Sequence, residues 1–263
     1  MQKWNFKVGK QWLFVIFMLV GANNTFAQDT KNPDKWQVYL QPYALFPNMN
    51  GSLGVGDLPN VSVDANPGDI FKNLKMGAML YSEVYKGSWV ISSDFIYMRL
   101  GADAETKNGI LGGSVDVKQV GWEVAGLYHI KQWLGVGVAV QLNSINSDVS
   151  LDLSLPVELA ISKTKSLEQS ETWVDPSILV RVKMPLSRKL HVHFRGNVGG
   201  FGIGSNFYWQ TQAHLGYRFS RVFDLSLGYR AISMDYENEK GNDRFVYDIT
   251  TFGPEVRFGF TLF

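Results

Sequence analysis

From residue 35 onward apolar and polar side chains alternate with period two, and clusters of turn residues break the alternation at intervals, which predicts strands and not helices. Ten strands are read. The first, residues 36–46, sets Trp36, Val38, Leu40, Ala44 and Phe46 against Gln37, Tyr39, Gln41 and Tyr43. The second, near 76–85, sets Ala78, Leu80 and Val84 against Tyr81, Glu83 and Tyr85, and the third, from Trp89, sets Trp89, Ile91, Phe95 and Tyr97 against Ser92 and Asp94. The fourth, about 114–130, opposes Trp122, Val124 and Tyr128 to Glu123 and His129. The fifth has Leu134, Val136, Val138, Val140 and Leu142 on one face and Gly135, Gly137, Ala139, Gln141 and Asn143 on the other. The sixth places Val174, Ile178, Val180 and Val182 opposite Asp175, Ser177, Arg181 and Lys183; the seventh Leu190, Val192, Phe194 and Val198 opposite His191, His193, Arg195 and Asn197. The eighth runs apolar through Phe207, Trp209, Ala213, Leu215, Tyr217 and Phe219 and almost wholly polar on the face of Gln210, Gln212, His214 and Arg218. The ninth, near 223–232, and the tenth, near 247–263, complete the set.

The connections fall into two alternating classes. Lys86-Gly87-Ser88, Lys131-Gln132, Leu186-Ser187-Arg188 and Ser220-Arg221 are short, whereas 47–75, 101–113, 144–171 and 237–245 are longer and polar. Short turns on one rim and long loops on the other predict a closed antiparallel transmembrane β-barrel, with the turns periplasmic and the loops extracellular. The strand count is ten, with eight or twelve as alternatives. Twelve would follow if the weak alternation at 51–66 and the segment 157–164 each paired. Residues 199–205, GGFGIGS, form the exception on the long-loop rim, where glycine permits tight or left-handed backbone.

Alternation alone does not decide which face is outside. Charges of both signs stand at mid-strand on the glycine-rich polar face, which suits a narrow polar lumen. On the apolar face large aromatics gather near strand ends. Trp209 and Phe219 are ten residues apart, about 33 Å along a strand, which a tilt near 40° projects to roughly 25 Å, the height of a lipid-facing band. Trp36, Trp89, Tyr128, Trp133, Phe219 and Phe223 are expected to form the girdle beside the short turns, with Tyr217 next to Phe219. Phe46, Tyr97, Trp122, Phe207 and Trp209 are expected to mark the other.

The first 27 residues differ from this pattern. Lys3, Lys7 and Lys10 precede an apolar run over 12–20 and a polar stretch ending Thr25-Phe26-Ala27, the form of a secretory signal peptide cleaved after Ala27. The apolar run is about half the length a spanning helix needs. Residues 28–34 are then a periplasmic lead and 35–263 the barrel. Of 25 basic residues three leave with the signal and no acidic one does, so the mature chain carries 22 against 24 and a formal charge of −2. That balance argues against a nucleic-acid partner. With no cysteine in the chain, disulfides, thiolate metal sites, thiol nucleophiles and an N-terminal lipidated cysteine are all excluded.

The inward charges are the main candidates for chemistry. Unpaired charge in a narrow lumen is costly, so Arg181, Arg195, Arg218 and Arg230 are expected to be bridged by Glu83, Asp94, Glu123, Asp175 and Glu255 into a network that fills the bore, with His193 and His214 within it. His191 and His193 share a face, yet two ligands make an incomplete metal site, and hydrogen bonding to an acid across the lumen is the plainer role. No cofactor, no metal and no catalytic residue are assigned. In the first outer loop Asp69 is placed to cap a helical turn, with Phe71 and Leu74 either sealing the mouth or lying in a surface turn.

The segment 173–263, with GGFGIGS, LGYRF at 215–219, LGYR at 227–230 and a C-terminal GPEVRFGFTLF, resembles the small outer-membrane barrels of Gram-negative bacteria, the OmpA-like and opacity-type superfamily, in an uncharacterised branch. The resemblance implies that Phe263 is read by the β-barrel assembly machinery. One departure is that Thr261, Gly259, Arg257 and Glu255 hold the alternate positions that the family keeps apolar. The expected partners are outer-membrane lipids and, during biogenesis, that machinery; the expected state is a monomer, with an unspecified extracellular partner. The function read is a non-enzymatic surface protein with a mostly closed polar lumen, acting through its outer loops. A narrow pore for small polar solutes and a lipid A modifying enzyme are the alternatives.

Overall fold

The structure, a computed structural model, describes residues 35–56, 59–105, 111–154, 162–238 and 244–262. The signal segment, the lead to residue 34 and Phe263 lie outside the described residues. The strands are β1 (Gln37–Leu45), β2 (Asn48–Val55), β3 (Val61–Ala65), β4 (Leu74–Lys86), β5 (Trp89–Glu105), β6 (Leu111–Lys131), β7 (Leu134–Ser154), β8 (Ser162–Pro185), β9 (Leu190–Gly199), β10 (Phe207–Arg218), β11 (Phe223–Asn238) and β12 (Phe245–Thr261), with one short helix, α1 (Pro67–Asn73), before β4.

Strands β1 and β4 to β12 pair in sequence order, and β1 also pairs with β12, so ten antiparallel strands close a barrel. β2 and β3 stand outside that ring. β2 continues β1 along β12 after a break at Phe46-Pro47, and β3 folds back on β2. The first long connection, read from sequence as a loop, therefore holds a hairpin and a helix. Its alternation is weak because the outer face of this added hairpin at the rim is not held apolar by lipid, although Met49, Leu53, Val55 and Val63 pack inward on the buried aromatic cluster.

The short turns are built by local chemistry. In both 186–189 and 219–222 a serine hydroxyl accepts from the two amides that follow: Ser187 from Lys189 and Leu190 at 3.2 and 3.0 Å, Ser220 from Val222 and Phe223 at 3.2 and 3.0 Å. The long-loop side differs from expectation. β8 runs for 24 residues and β7 for 21, against about 9–11 needed to cross a bilayer. Much of 101–113 and 144–171 is thus strand, and pairs such as Val117↔Ser147 and Asn146↔Ser170 carry the ladder well beyond the belt. With water on both faces, backbone pairing continues there without the hydrophobic alternation that marks a strand in a sequence.

Which face meets solvent and which the bore is decided by exposure. Outward Val138, Leu227, Ile91 and Ile178 are 66, 57, 57 and 56% exposed, while inward Arg195 and Asp175 are 0% exposed. A continuous apolar belt around ten strands far exceeds the few hundred Å² that soluble monomers tolerate, and pairing of β1 with both β12 and β4 closes the ring. The barrel spans a membrane. Beside the short turns, Trp89 meets Tyr128 edge-on at 5.0 Å, and Tyr217, Phe219, Phe223 and Phe260 follow one another at 4.8, 5.6 and 5.4 Å. Trp36, Trp133 and, towards the other side, Trp122 are also exposed on the belt, with Trp209 half-buried.

Candidate functional site

The inward face of β1, β4, β5, β6 and β8 to β12 converges on a sealed set of ion pairs. Arg181 bonds Glu83, Arg195 bonds Glu123, Arg230 meets Asp94 at 3.0 Å and Arg257 bonds Glu255. All eight side chains are 3% exposed or less. Three of the pairs join strands that are not neighbours: β8 to β4, β9 to β6 and β11 to β5. They therefore cross the bore and tie one wall to another.

Neutral groups complete the set. Tyr43 donates to Asp94 at 2.7 Å and accepts from Arg230 at 2.9 Å, and Arg230 also donates to Gln210 at 2.9 Å. Asn197 donates to Glu123 at 2.6 Å, and Arg257 donates to Gln212 at 2.7 Å while lying over the rings of Tyr43 and Tyr81 at 5.0 and 4.9 Å. Glu83 accepts from both Tyr81 and Tyr85, and Arg181 reaches His129 at 2.6 Å. Towards the short turns, Tyr39 donates to both oxygens of Asp224 at 2.8 and 2.7 Å. This density is what a buried charge requires, because a guanidinium or carboxylate out of water is stable only when paired and hydrogen-bonded.

Of the residues singled out in the sequence, Glu83, Asp94, Glu123, Arg181, Arg195, Arg230 and Glu255 are brought together in this tier. His214 joins it through Glu255 at 3.2 Å, and His193 lies against His214 with ring centres 5.9 Å apart. Two are placed otherwise. Arg218 has the inward parity but sits at the last position of β10, so its side chain is exposed at the short-turn rim instead of bridging an acid. Asp175 meets no arginine: it accepts from Asn143 at 3.1 Å, Trp173 Nε1 at 3.0 Å, the Ser205 amide at 2.6 Å and the Ser205 hydroxyl at 2.9 Å. Ser205 arrives because the GGFGIGS loop folds inward, with Gly200, Phe201 and Gly202 at φ of 84, 54 and 73°. Four neutral donors satisfy that carboxylate without a cation.

Arg257, Tyr39, Tyr43, Tyr81 and Asp224 were absent from the expected set. Their inward parity was legible, and Arg257 shares its face with Glu255 two positions away in the C-terminal GPEVRFGFTLF, which was the available signal. Their partners lie up to 216 residues away, beyond any local pattern. In α1, Asn66 and not Asp69 is the N-cap. Asn66 Oδ1 accepts from the Asp69 amide at 3.1 Å and Asp69 accepts from the Asn66 amide at 3.3 Å, a reciprocal capping box. Ile70 is the buried residue of α1, while Phe71 packs on Phe46 at 5.4 Å and stays exposed, so Phe71 does not seal the bore. Among the described residues no group of three or more His, Asp or Glu stands close enough to hold a metal ion, and His191 and His193 gain no third ligand.

Above the ion pairs, towards the long loops, the bore is apolar, contrary to the polar lumen read from sequence. Trp173 stacks on Tyr236 at 4.2 Å and is flanked by Phe245 and Tyr247, with Ile145, Tyr208, Met234 and Ile249 buried in the same cluster. The interior thus has two storeys, charged below and apolar above.

No family model and no curated protein matches this sequence. Among solved structures the chain is similar to Ail, the attachment invasion locus protein of Yersinia pestis, at 11% identity over 86% of this chain and 99% of that one, with a TM-score of 0.36. It is also similar to the outer membrane protease OmpT of Escherichia coli, at 8% identity over 90 and 100% and a TM-score of 0.47, and to the translocator domain of the autotransporter NalP of Neisseria meningitidis, at 11% over 88 and 90% and 0.30. These are loose superpositions; the architecture and the place in a membrane rest on this chain's own strand pairing and surface.

Proposed function

We propose that this chain, an outer-membrane β-barrel by its closed sheet and apolar belt, is shut to ions and acts at the cell surface without catalysing a reaction. The observation that carries this is the transverse ion-pair tier, in which four arginines and four acids are sealed at 3% exposure or less. A hydrated ion would have to break pairs whose separation strands charge in a low-dielectric bore. His214 lies with Glu255 in the sealed bore, both side chains 2% exposed or less, out of reach of a lipid or peptide substrate arriving at the outer rim, which favours a binding or structural role over an enzymatic one. The hairpins of β5 to β8, which rise beyond the belt, are the part presented outward. The barrel is a monomer delivered by the β-barrel assembly machinery through Phe263.

Planar-bilayer recording tests the reading. The expected result is no steady unitary conductance from the wild type, with channels appearing when the tier is thinned by pairwise replacement, Arg195→Ala with Glu123→Ala. Steady channels from the wild type would make it a narrow pore.

A further inference from the structure

On the outward wall the ladder of β5 and β6 steps up through Phe95↔Trp122 and Tyr97↔Val120 to Arg99↔Lys118 and then Gly101↔Asp116. Arg99 and Lys118 are therefore direct cross-strand partners, immediately above the aromatic level on the long-loop side. Like charges at opposed positions repel, and a third cation joins them. Lys75 is the extra residue of a bulge in β4 between Leu74 and Met76, and its stem lies on the outward side of Gly101, where a Cβ would stand 2.5 Å from Lys75 Cε. The acids sit one row further from the membrane, Asp116 beside Asp148. Arg99 meets Asp116 at 2.9 Å and Lys118 meets Asp148 at 4.0 Å, with these side chains 27 to 49% exposed. Pairs so open to water hold their charges weakly, so the row nearest the lipid can take an anion at the depth of a headgroup.

Below this row the belt holds a groove of about 450 Å³ that opens on the lipid. Its floor is two rows of cross-strand partners on β6, β7 and β8, Val124 with Val140 and Pro176, and Gly126 with Val138 and Ile178. Gly126 deepens it, because a Cβ there would meet nothing within 4 Å. Phe201, at φ 54° in the turn after β9, stands 57% exposed as one lip. Lys118 and Val124 are six residues apart on the same face of β6, about 20 Å along the strand, which a tilt near 40° projects to about 15 Å. That is half of a hydrocarbon core about 30 Å thick, the depth that the chains of one leaflet reach. Trp122, between them, donates its Nε1 hydrogen to Ser93 of β5 at 2.9 Å, so the indole leans away from β7 and leaves that path open.

We propose that the outward wall of β4 to β8 is a docking site for one outer-leaflet lipid bearing a phosphomonoester, with its phosphate on Arg99, Lys118 and Lys75 and an acyl chain in the groove at Val138. A monoester offers three acceptor oxygens and close to two negative charges at neutral pH, against two such oxygens and one charge for a phosphodiester. Arginine's fork takes two oxygens at once, and the lysines supply point charges beside it. The site rests on the barrel's place in the membrane and not on a shut bore, so conductance by the wild type would leave it standing.

Native mass spectrometry of the mature barrel in mild detergent tests this, with phosphatidic acid, phosphatidylglycerol and phosphatidylcholine of identical acyl chains as probes. The wild type is expected to retain one phosphatidic acid at least about tenfold more tightly than phosphatidylglycerol, and excess inorganic phosphate should not displace it. Arg99→Gln with Lys118→Gln, both outside the belt, should bring the two lipids within about twofold of each other. Gly126→Phe fills the groove and should weaken all three lipids by several-fold while keeping their ratio. Phe201→Ala, which removes the lip, serves if that variant lacks the faster migration of unheated barrel on a denaturing gel. Equal retention of phosphatidic acid and phosphatidylglycerol by the folded wild type, displacement by free phosphate, or binding unchanged by either kind of variant overturns the proposal.

Discussion

Arg195 of β9 and Glu123 of β6 meet across the bore, with side chains 0 and 2% exposed. Neither strand neighbours the other in the sheet, so the pair acts as a strut between walls, and Asn197 secures its second carboxylate oxygen at 2.6 Å. Breaking one end leaves the other charge buried. Glu123→Gln is expected to destabilise the barrel by about 3–5 kcal/mol, whereas Arg195→Met with Glu123→Leu should recover most of the loss. The temperature at which the fast-migrating form disappears on a denaturing gel measures both, and a double variant as weak as the single one would contradict the strut.

The narrow bore also limits side-chain volume. A Cβ at Gly259 would stand 2.2 Å from Tyr39 Oη and 2.6 Å from each Asp224 oxygen. Gly259→Ala should therefore cost about 1–3 kcal/mol, and Tyr39→Phe, harmful alone because it removes two hydrogen bonds to Asp224, should offset part of that cost in the double variant. Additive losses in a double-mutant cycle would show that the two positions do not compete for space.

The belt makes a prediction about lipid. Val138→Lys places a charge in mid-belt and is expected to cost about 2–4 kcal/mol, while Val115→Lys, on the part of β6 beyond the belt, should cost under about 1 kcal/mol. Refolding yield into liposomes under graded urea separates them. In single-tryptophan variants, brominated acyl chains should quench Trp89 and Trp133 and leave Trp173, stacked on Tyr236, unaffected.

Helix α1 depends on its cap. Asn66→Ala removes one half of the capping box and should lower local stability by about 1 kcal/mol. Faster amide exchange confined to 67–73, with global unfolding unchanged, is the expected signature; exchange that spreads into β4 and β5 would mean that α1 supports the wall.

From sequence alone ten was the leading strand count, with eight and twelve open, and the outward faces and the alternation of short and long connections were legible. The reason is that in lipid every outward position must be apolar and every backbone group paired, so the constraint is written locally, residue by residue, as in Leu134 to Leu142 or Phe207 to Phe219. The inward parity of Glu83, Asp94, Glu123, Arg181, Arg195, Arg230 and Glu255 was legible for the same reason. Only the tertiary structure decided which of these met, because closure of the sheet and the stagger of its strands set partners 72, 98 and 136 residues apart (Arg195–Glu123, Arg181–Glu83 and Arg230–Asp94), and it gave Arg257 to Glu255, left Arg218 exposed at the strand end and replaced the cation expected at Asp175 by Ser205 and Trp173. It also decided that Ile145, Trp173, Met234 and Ile249 pack together in the bore. An apolar residue in a barrel strand reads as lipid-facing until the closed wall shows that, above the ion pairs, the bore itself is apolar.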